Sequence, residues 1–105
     1  RLWIFVELMD DALTAYVQNW WKSYSENICK FVLRRALEGL NYLHERNIIH
    51  RDIKCLNILL VNGKLKLGDM SESRVLDSNR YVNTKTIVGT PLSLSPEVVN
   101  RQGYD

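Results

Sequence analysis

The sequence is poor in cysteine and in long apolar runs, and each shortage excludes a class of protein. Its 105 residues include two cysteines, Cys29 and Cys55, with no Cys-x-x-Cys pair. We therefore expect neither a disulfide framework nor a zinc site, and a reducing compartment fits. No apolar run approaches the ~18 residues that a membrane-spanning helix needs. The opening run, residues 2–6, ends at Glu7 and is too short for a signal peptide.

The chain also lacks an excess of charge of either sign. The formal net charge is +2, from 14 Lys+Arg against 12 Asp+Glu, which is too weak to argue for binding to nucleic acid or to an anionic membrane. Hydrophobic residues make up 46% and charged residues 25%, as in an ordinary globular protein. The length suits one small domain with a core, and the chain has no internal repeat or low-complexity segment.

Apolar periodicity predicts the regular elements of the first half. Apolar positions at helical spacing predict one helix over 12–22 and a longer one from 26 to about 46. The Ser-x-x-Glu pattern that begins at Ser23 is typical of a helix start. Residues 2–9 form a short continuous apolar run, which predicts a buried strand. A buried strand needs neighbours on both sides and nothing precedes this one, so we expect the chain to be a fragment.

The second half begins with polar residues set between two apolar runs. Within residues 48–60 the polar positions are His50, Arg51, Asp52, Lys54 and Asn57. A loop anchored at both ends brings a carboxylate, an ammonium and an amide together, which suits proton handling and phosphate or metal binding. The alternative interpretation is a charged surface turn that follows a helix.

A β-hairpin is predicted directly after this loop. Asn62-Gly63 separates the short apolar runs 58–61 and 64–67, and such a pair is a strong hairpin signal. The two ends of a hairpin lie close together, so Asn57 before it and Asp69 after it can share one ion. Amide and carboxylate oxygens are ligands that suit magnesium.

The spacing His-Arg-Asp-x-Lys-x-x-Asn resembles the catalytic loop of protein kinases. Three further kinase-like motifs follow in the expected order, namely Asp69 with its two following residues, Gly89-Thr90-Pro91, and Ser95-Pro96-Glu97. Lys54 and the Gly-Thr-Pro motif resemble serine/threonine kinases rather than tyrosine kinases. The sequence around these motifs is similar to that of the Ste20/p21-activated branch.

The resemblance implies an α+β, protein-kinase-like fold that is partial. Residues 1–9 would be the last N-lobe strand and the hinge. Residues 10–105 would be a mainly helical C-lobe portion, with a catalytic-loop β-hairpin, that ends just past the activation segment. Pro96 would begin a short helix, and residues 72–88 would form a mobile activation loop.

The same resemblance implies a site for ATP and Mg²⁺. Asp52 would orient a substrate hydroxyl and take its proton, and Lys54 would stabilise charge on the γ-phosphoryl. Asn57 and Asp69 would hold magnesium, and Thr90 would hydrogen-bond near Asp52 and Lys54. The ATP-binding positions would be Val6, at the gatekeeper position, the backbones of Glu7 and Met9, and Leu59.

Regulation and partners follow from the resemblance as well. Thr86 matches the usual activating phosphosite, and Arg51 and Arg74 match the cations that hold its phosphate. Weaker phosphosites are Thr84, Ser78 and Tyr81. The implied partners are a protein substrate with Ser or Thr and an upstream kinase that acts on Thr86, in the cytoplasm.

The sequence departs from the family pattern in three places. Met70 and Ser71 replace Phe and Gly, and residues 92–95 lack the usual aromatic pair and Ala. Moreover, the five glycines form no Gly-x-Gly-x-x-Gly, and no strand carries a Val-Ala-x-Lys pattern, so we expect the isolated chain to be inactive. The alternative function is a pseudokinase or truncated docking module without phosphotransfer. A third interpretation is an unrelated helix-plus-hairpin domain.

Overall fold

The computed structural model describes residues 1–20, 25–76, 86–102 and 104. Helices and strands both occur in these ranges, in agreement with the predicted α+β class, and none of the helices there has the length and apolarity to cross a membrane. The α-helices are α1 Leu13–Trp20, α2 Glu26–His44 and α3 Pro96–Val99. The strands are β1 Asp11–Ala12, β2 Ile48–Ile49, β3 Ile58–Val61, β4 Lys64–Leu67 and β5 Arg74–Val75.

Helix α2 is the longest element, and it begins at Glu26 as predicted and ends at His44, close to the predicted end at about residue 46. Ser25 caps the helix, because its hydroxyl accepts a hydrogen bond from the Ile28 amide at 3.4 Å. Ser23, where the predicted capping pattern begins, lies outside the described residues. The helix packs on β4, where a Cβ on Gly39 would lie 3.0 Å from the Leu67 side chain. The helix therefore lies close against the hairpin strand that leads to the site.

The predicted hairpin is confirmed with its bounds. Strands β3 and β4 pair antiparallel, and the turn residues Asn62 and Gly63 both have positive φ, 49° and 73°. Two residues of positive φ give the tight turn whose twist matches the strands. β1 pairs with β3 on its other edge, so the sheet order is β1-β3-β4. Ile58 and Val61 are buried there, and the start and end of the hairpin are held together.

A second, smaller sheet corrects the prediction for the loop 72–88. Strand β5 pairs antiparallel with β2, with Ile49 opposite Arg74, and the Leu76 amide donates to the Asn47 carbonyl at 2.7 Å. The first part of this segment is thus regular structure tied to the residues just before the polar loop that carries Asp52. Residues 77–85, and with them Thr84, Ser78 and Tyr81, lie outside the described residues. The predicted short helix at Pro96 is present as α3.

The predicted buried strand over residues 2–9 is wrong. These residues form no strand, and large side chains such as Leu2 and Phe5 are 87% and 93% exposed. A strand needs a hydrogen-bonded neighbour. Within the described residues, the edge of β3 that does not face β4 is paired with β1, which begins at Asp11 and thus after residues 2–9. An ion pair between Glu7 and Lys66 of β4 ties this segment to the hairpin. The division into an N-lobe strand and hinge (1–9) and a C-lobe portion (10–105) stays a prediction.

Candidate functional site

A buried histidine holds the polar loop against the end of the hairpin. His50 is 1% exposed. Its Nδ1 accepts a hydrogen bond from the Asp52 amide at 3.3 Å, and its Nε2 lies 2.9 Å from the Gly68 carbonyl oxygen. The amide can only donate, so the ring proton sits on Nε2 and is donated to Gly68. The loop that carries Asp52 is thereby fixed to the residue that precedes Asp69.

Asp52 lies at the centre of a network of polar contacts. Its Oδ2 accepts hydrogen bonds from Lys54 Nζ at 2.7 Å and from Asn57 Nδ2 at 3.0 Å. Its Oδ1 accepts from the amide and the hydroxyl of Thr90, at 2.9 and 2.7 Å. Lys54 Nζ also donates to Thr90 Oγ1 at 2.7 Å. The structure thus joins these four residues in one network of contacts around Asp52.

The network lowers the pKa of the Asp52 carboxyl to about 2. The hydrogen bond from Lys54 is the largest cause, and the bond from the Thr90 hydroxyl follows. Both contacts stabilise the charged form, whereas burial of the carboxylate opposes it. Asp52 is therefore an ionised acceptor at neutral pH.

Thr90 reaches Asp52 because the residue before it is glycine. Gly89 has φ +105°, and a Cβ there would lie 2.4 Å from the Arg51 carbonyl oxygen. Arg51 itself has a φ of 67°, in the left-handed region. Two unusual backbone conformations therefore allow the segment around Thr90 to approach the polar loop that carries Asp52 more closely than any side-chain-bearing residue at position 89 would permit.

The hairpin brings the backbones around Asn57 and Asp69 to one end of the sheet. The Gly68 amide donates to the Asn57 carbonyl at 2.9 Å. Asn57 is buried, and its Nδ2 donates to Asp52, both to the backbone oxygen at 2.8 Å and to Oδ2. Asp69 is exposed, and its Oδ1 accepts from the Ser71 hydroxyl at 2.7 Å and from the Ser71 amide at 3.3 Å. These two bonds hold the pKa of Asp69 below its ordinary value.

A cleft of about 600 Å³ lies beside this end of the hairpin. All four residues that the sequence analysis named for ATP line it, together with Asp69 and Ser71. The four are Val6, Glu7, Met9 and Leu59. The cleft therefore joins an apolar wall to the carboxylate that follows β4.

The three candidate regulatory residues contact different partners. Arg51 Nε donates to the Glu72 carbonyl, and Arg74 is half-buried in β5. Thr86 is exposed, and its carbonyl accepts a hydrogen bond from the Tyr104 hydroxyl at 2.8 Å. Among the described contacts, none joins Thr86 to Arg51 or Arg74.

Sequence reasoning missed the parts played by His50, Gly89 and Ser71. It treated Ser71 only as a departure from the family pattern. Ser71 is not among the described residues of positive φ, and its hydroxyl bonds Asp69 instead. The Asp-x-Ser pattern was the available signal, because Asp and Ser side chains commonly bond the backbone or one another in tight turns.

Comparison with known proteins matches residues 1–105 to the protein kinase domain. The serine/threonine-protein kinase shk1/pak1 of Schizosaccharomyces pombe is 44% identical over 99% of the chain, which spans 16% of that protein. The serine/threonine-protein kinase pakG of Dictyostelium discoideum is 39% identical over 100% of the chain, which spans 9% of it. The serine/threonine-protein kinase sid1 of Schizosaccharomyces pombe is 41% identical over 98%, and the chain spans 22% of it.

These relatives confirm the resemblance to serine/threonine kinases, including the p21-activated branch. They match nearly the whole chain, whereas the chain spans less than a quarter of each of them. By the match over residues 1–105, the chain belongs to the protein kinase domain family.

Proposed function

We propose that the protein that carries this chain is a serine/threonine protein kinase. It transfers the γ-phosphoryl of ATP to a Ser or Thr hydroxyl of a protein substrate. The observation that carries the proposal is the ionised Asp52 carboxylate, held in one orientation by Lys54, Asn57 and Thr90. A fixed acceptor beside an ammonium suits phosphoryl transfer, which depends mainly on positioning and electrostatics.

Asp52 orients the attacking hydroxyl. The substrate oxygen forms a bond to the γ-phosphorus, the bond from that phosphorus to the β–γ bridging oxygen breaks, and ADP leaves. The hydroxyl proton passes to Asp52. With a pKa of about 2 the carboxylate is a weak base, so it acts first by holding the hydroxyl in line and accepts the proton as the bond to phosphorus forms.

Lys54 supplies positive charge next to the acceptor. Its ammonium contacts both Asp52 and Thr90 at 2.7 Å, so its position is set from two sides. A fixed cation stabilises the negative charge of the transferring phosphoryl group better than a mobile one, because little reorganisation is needed during the reaction.

Asn57 and Asp69 are the residues that would hold Mg²⁺. Asn57 Nδ2 donates to Asp52, which leaves the amide oxygen as its group for a cation. Among the described residues no group of three or more His, Cys, Asp or Glu side chains could hold a metal. One amide and one carboxylate nevertheless fit magnesium, which is commonly bound by one or two carboxylates together with substrate phosphates. When bound, magnesium neutralises charge on the phosphate oxygens.

ATP would occupy the cleft beside the hairpin. Val6 and Leu59 give it an apolar wall for the adenine, and Glu7 and Met9 offer backbone groups to the adenine edge. Support comes from their shared lining of a cleft that also contains Asp69, since the phosphates must reach the metal ligands.

Regulation would act through the segment that contains Thr86. Thr86 is exposed and thus open to an upstream kinase, and its phosphate would be bound by Arg51 and Arg74. We also propose a cytoplasmic location, which suits the two free cysteines.

The test is phosphate transfer from ATP to a generic Ser/Thr protein substrate by the full-length protein. Asp52→Asn is expected to lower kcat about 10²–10⁴-fold, because the acceptor for the hydroxyl proton is lost. Asp11→Asn is the matched control, since it removes an exposed carboxylate that does not line the cleft, and its kcat is expected to equal that of the wild type. Equal rates for wild type and Asp52→Asn would refute the proposal, and a wild type without transfer would favour the docking module.

A further inference from the structure

We infer that Ser71 is a positioning residue for Asp69, whose hydroxyl holds the carboxylate in the orientation that receives a divalent cation. The inference rests on the proposed metal-binding role of Asp69. It concerns a residue that stands where the family pattern has glycine.

The backbone at Asp69 turns sharply, and its side chain is exposed. Asp69 has a φ of 55°, in the left-handed region that few non-glycine residues adopt. Because the residue is exposed, close packing does not select its rotamer. The contacts that do so come from Ser71, whose hydroxyl and amide reach the same oxygen, Oδ1, at 2.7 and 3.3 Å.

These two donors differ in what a substitution would remove. The amide belongs to any residue at position 71 except proline, whereas the hydroxyl belongs to Ser or Thr alone. Since Ser71 does not have positive φ, its side chain causes no backbone strain. The hydroxyl therefore adds a second and shorter bond to Oδ1, and Oδ2 remains the oxygen better placed to bind a cation.

A second serine in the same turn, Ser73, makes different hydrogen bonds. The amide and the hydroxyl of Ser73 both donate to the Met70 carbonyl, at 3.0 and 2.6 Å. These bonds close the turn, and both end on the Met70 carbonyl rather than on Asp69. Ser73 thus offers a matched comparison, because it is the same residue type in the same turn with a hydroxyl bond of similar length.

A ligand that is already oriented loses less rotamer freedom when it binds a metal. Partners that orient metal ligands typically contribute about 10–100-fold to metal affinity. For one hydroxyl at an exposed site we expect the lower end of that range.

The experiment measures Mn²⁺ binding to the full-length protein saturated with a non-hydrolysable ATP analogue, by the enhancement of water-proton relaxation. Ser71→Ala is expected to weaken Mn²⁺ affinity about 10-fold. Ser71→Thr keeps the hydroxyl, and Ser73→Ala leaves Asp69 untouched, so both are expected to bind as the wild type does. Asp69→Asn is expected to bind far more weakly than any of them.

The outcomes separate this inference from the proposed function. If Asp69→Asn loses affinity but Ser71→Ala binds like the wild type, the positioning role is refuted and the metal role of Asp69 stands. If Asp69→Asn binds like the wild type, the metal role fails and the inference fails with it. Equal losses in Ser71→Ala and in either Ser71→Thr or Ser73→Ala would assign the effect to the turn rather than to the hydroxyl, and would also overturn the inference.

Discussion

Asp52 is a buried carboxylate, and its neighbours stabilise its negative charge. It is one of three buried polar or charged residues in the described part of the chain, with His50 and Asn57. A buried carboxylate is costly unless hydrogen bonds and an opposite charge compensate it. Lys54, Asn57 and Thr90 supply both, so the groups proposed for catalysis also stabilise the fold around them.

Because of these contacts, we expect the stability of the folded protein to decrease at acid pH. The pKa of Asp52 is lowered from 3.8 to about 2 in the folded protein, so its ionised form stabilises the fold, by on the order of 2 kcal/mol. That contribution is present above pH about 4.5 and is lost as the pH falls towards about 2.

The measurement is the free energy of unfolding of the full-length wild type and of Asp52→Asn, across pH 7 to 2.5. The difference between the two is expected to be constant above pH about 4.5 and to shrink below it. Asp11→Asn, which alters an exposed carboxylate, is expected to differ from the wild type by less than about 0.5 kcal/mol throughout. A difference for Asp52→Asn that stays constant down to pH 2.5 would contradict the assignment.

At the scale of elements, locally determined structure was predictable and structure that depends on pairing was not. Helix α2 and the β3–β4 hairpin follow from apolar periodicity and from Asn62-Gly63, which act within a few residues. Residues 2–9 have strand-like composition but no strand partner among the described residues, so composition alone misled. β5 was missed for the opposite reason, since its two residues form a strand only because β2 lies beside them.

The candidate site also has a part that was predictable from the sequence and a part that was not. Spacing named Asp52, Lys54, Asn57 and Asp69, because their order along the chain follows the family pattern. It could not give the hydroxyl bond from Ser71, which depends on the turn that follows β4. Nor could it give the close approach at Gly89, which depends on two segments that are distant in sequence.

That approach gives a prediction for one loop. Gly89→Ala would place a Cβ 2.4 Å from the Arg51 carbonyl oxygen, which forces the segment away from the loop that carries Asp52 and stretches the bonds from Thr90 to Asp52. A misplacement of about 1 Å is expected to lower kcat about 10²-fold. The measurement is kcat at a temperature where the variant is folded, as checked by circular dichroism.

Gly63→Ala is the control for backbone strain. Gly63 also has positive φ, +73°, but a Cβ there would meet no atom within 4 Å. It is expected to lose stability, by about 1 kcal/mol, while kcat of the folded protein is unchanged. If both variants lost activity equally, strain rather than the contact with Arg51 would be responsible.

At the scale of the whole molecule, little apolar surface is buried. The buried hydrophobic residues in the described part are Ala36, Ile58 and Val61. Helix α2 exposes large side chains such as Leu33 and Leu37, at 61% and 63%. A core of this size contributes little against the entropy lost on folding, so the 105 residues by themselves have a marginal fold.

We therefore expect residues 1–105, expressed alone, to melt without a sharp cooperative transition and to bind a dye specific for exposed apolar surface. Scanning calorimetry and dye fluorescence on the monomeric fraction measure this. The full-length protein is the comparison and is expected to melt cooperatively in this region. A sharp calorimetric transition from monomeric 1–105, with no dye binding, would show that the chain stabilises itself.

The bond from Thr90 to Asp52 closes a loop of 38 residues, whereas the bond from Gly68 to Asn57 closes a hairpin. Hairpins form within about 1–10 μs, and long loops close at a higher entropic cost. We therefore expect the half of the site that contains Asn57 to form earlier, and the half that contains Thr90 to open at a lower free-energy cost. In hydrogen exchange the Gly68 amide would outlast the Thr90 amide, since partial opening releases the distant segment while the hairpin remains closed.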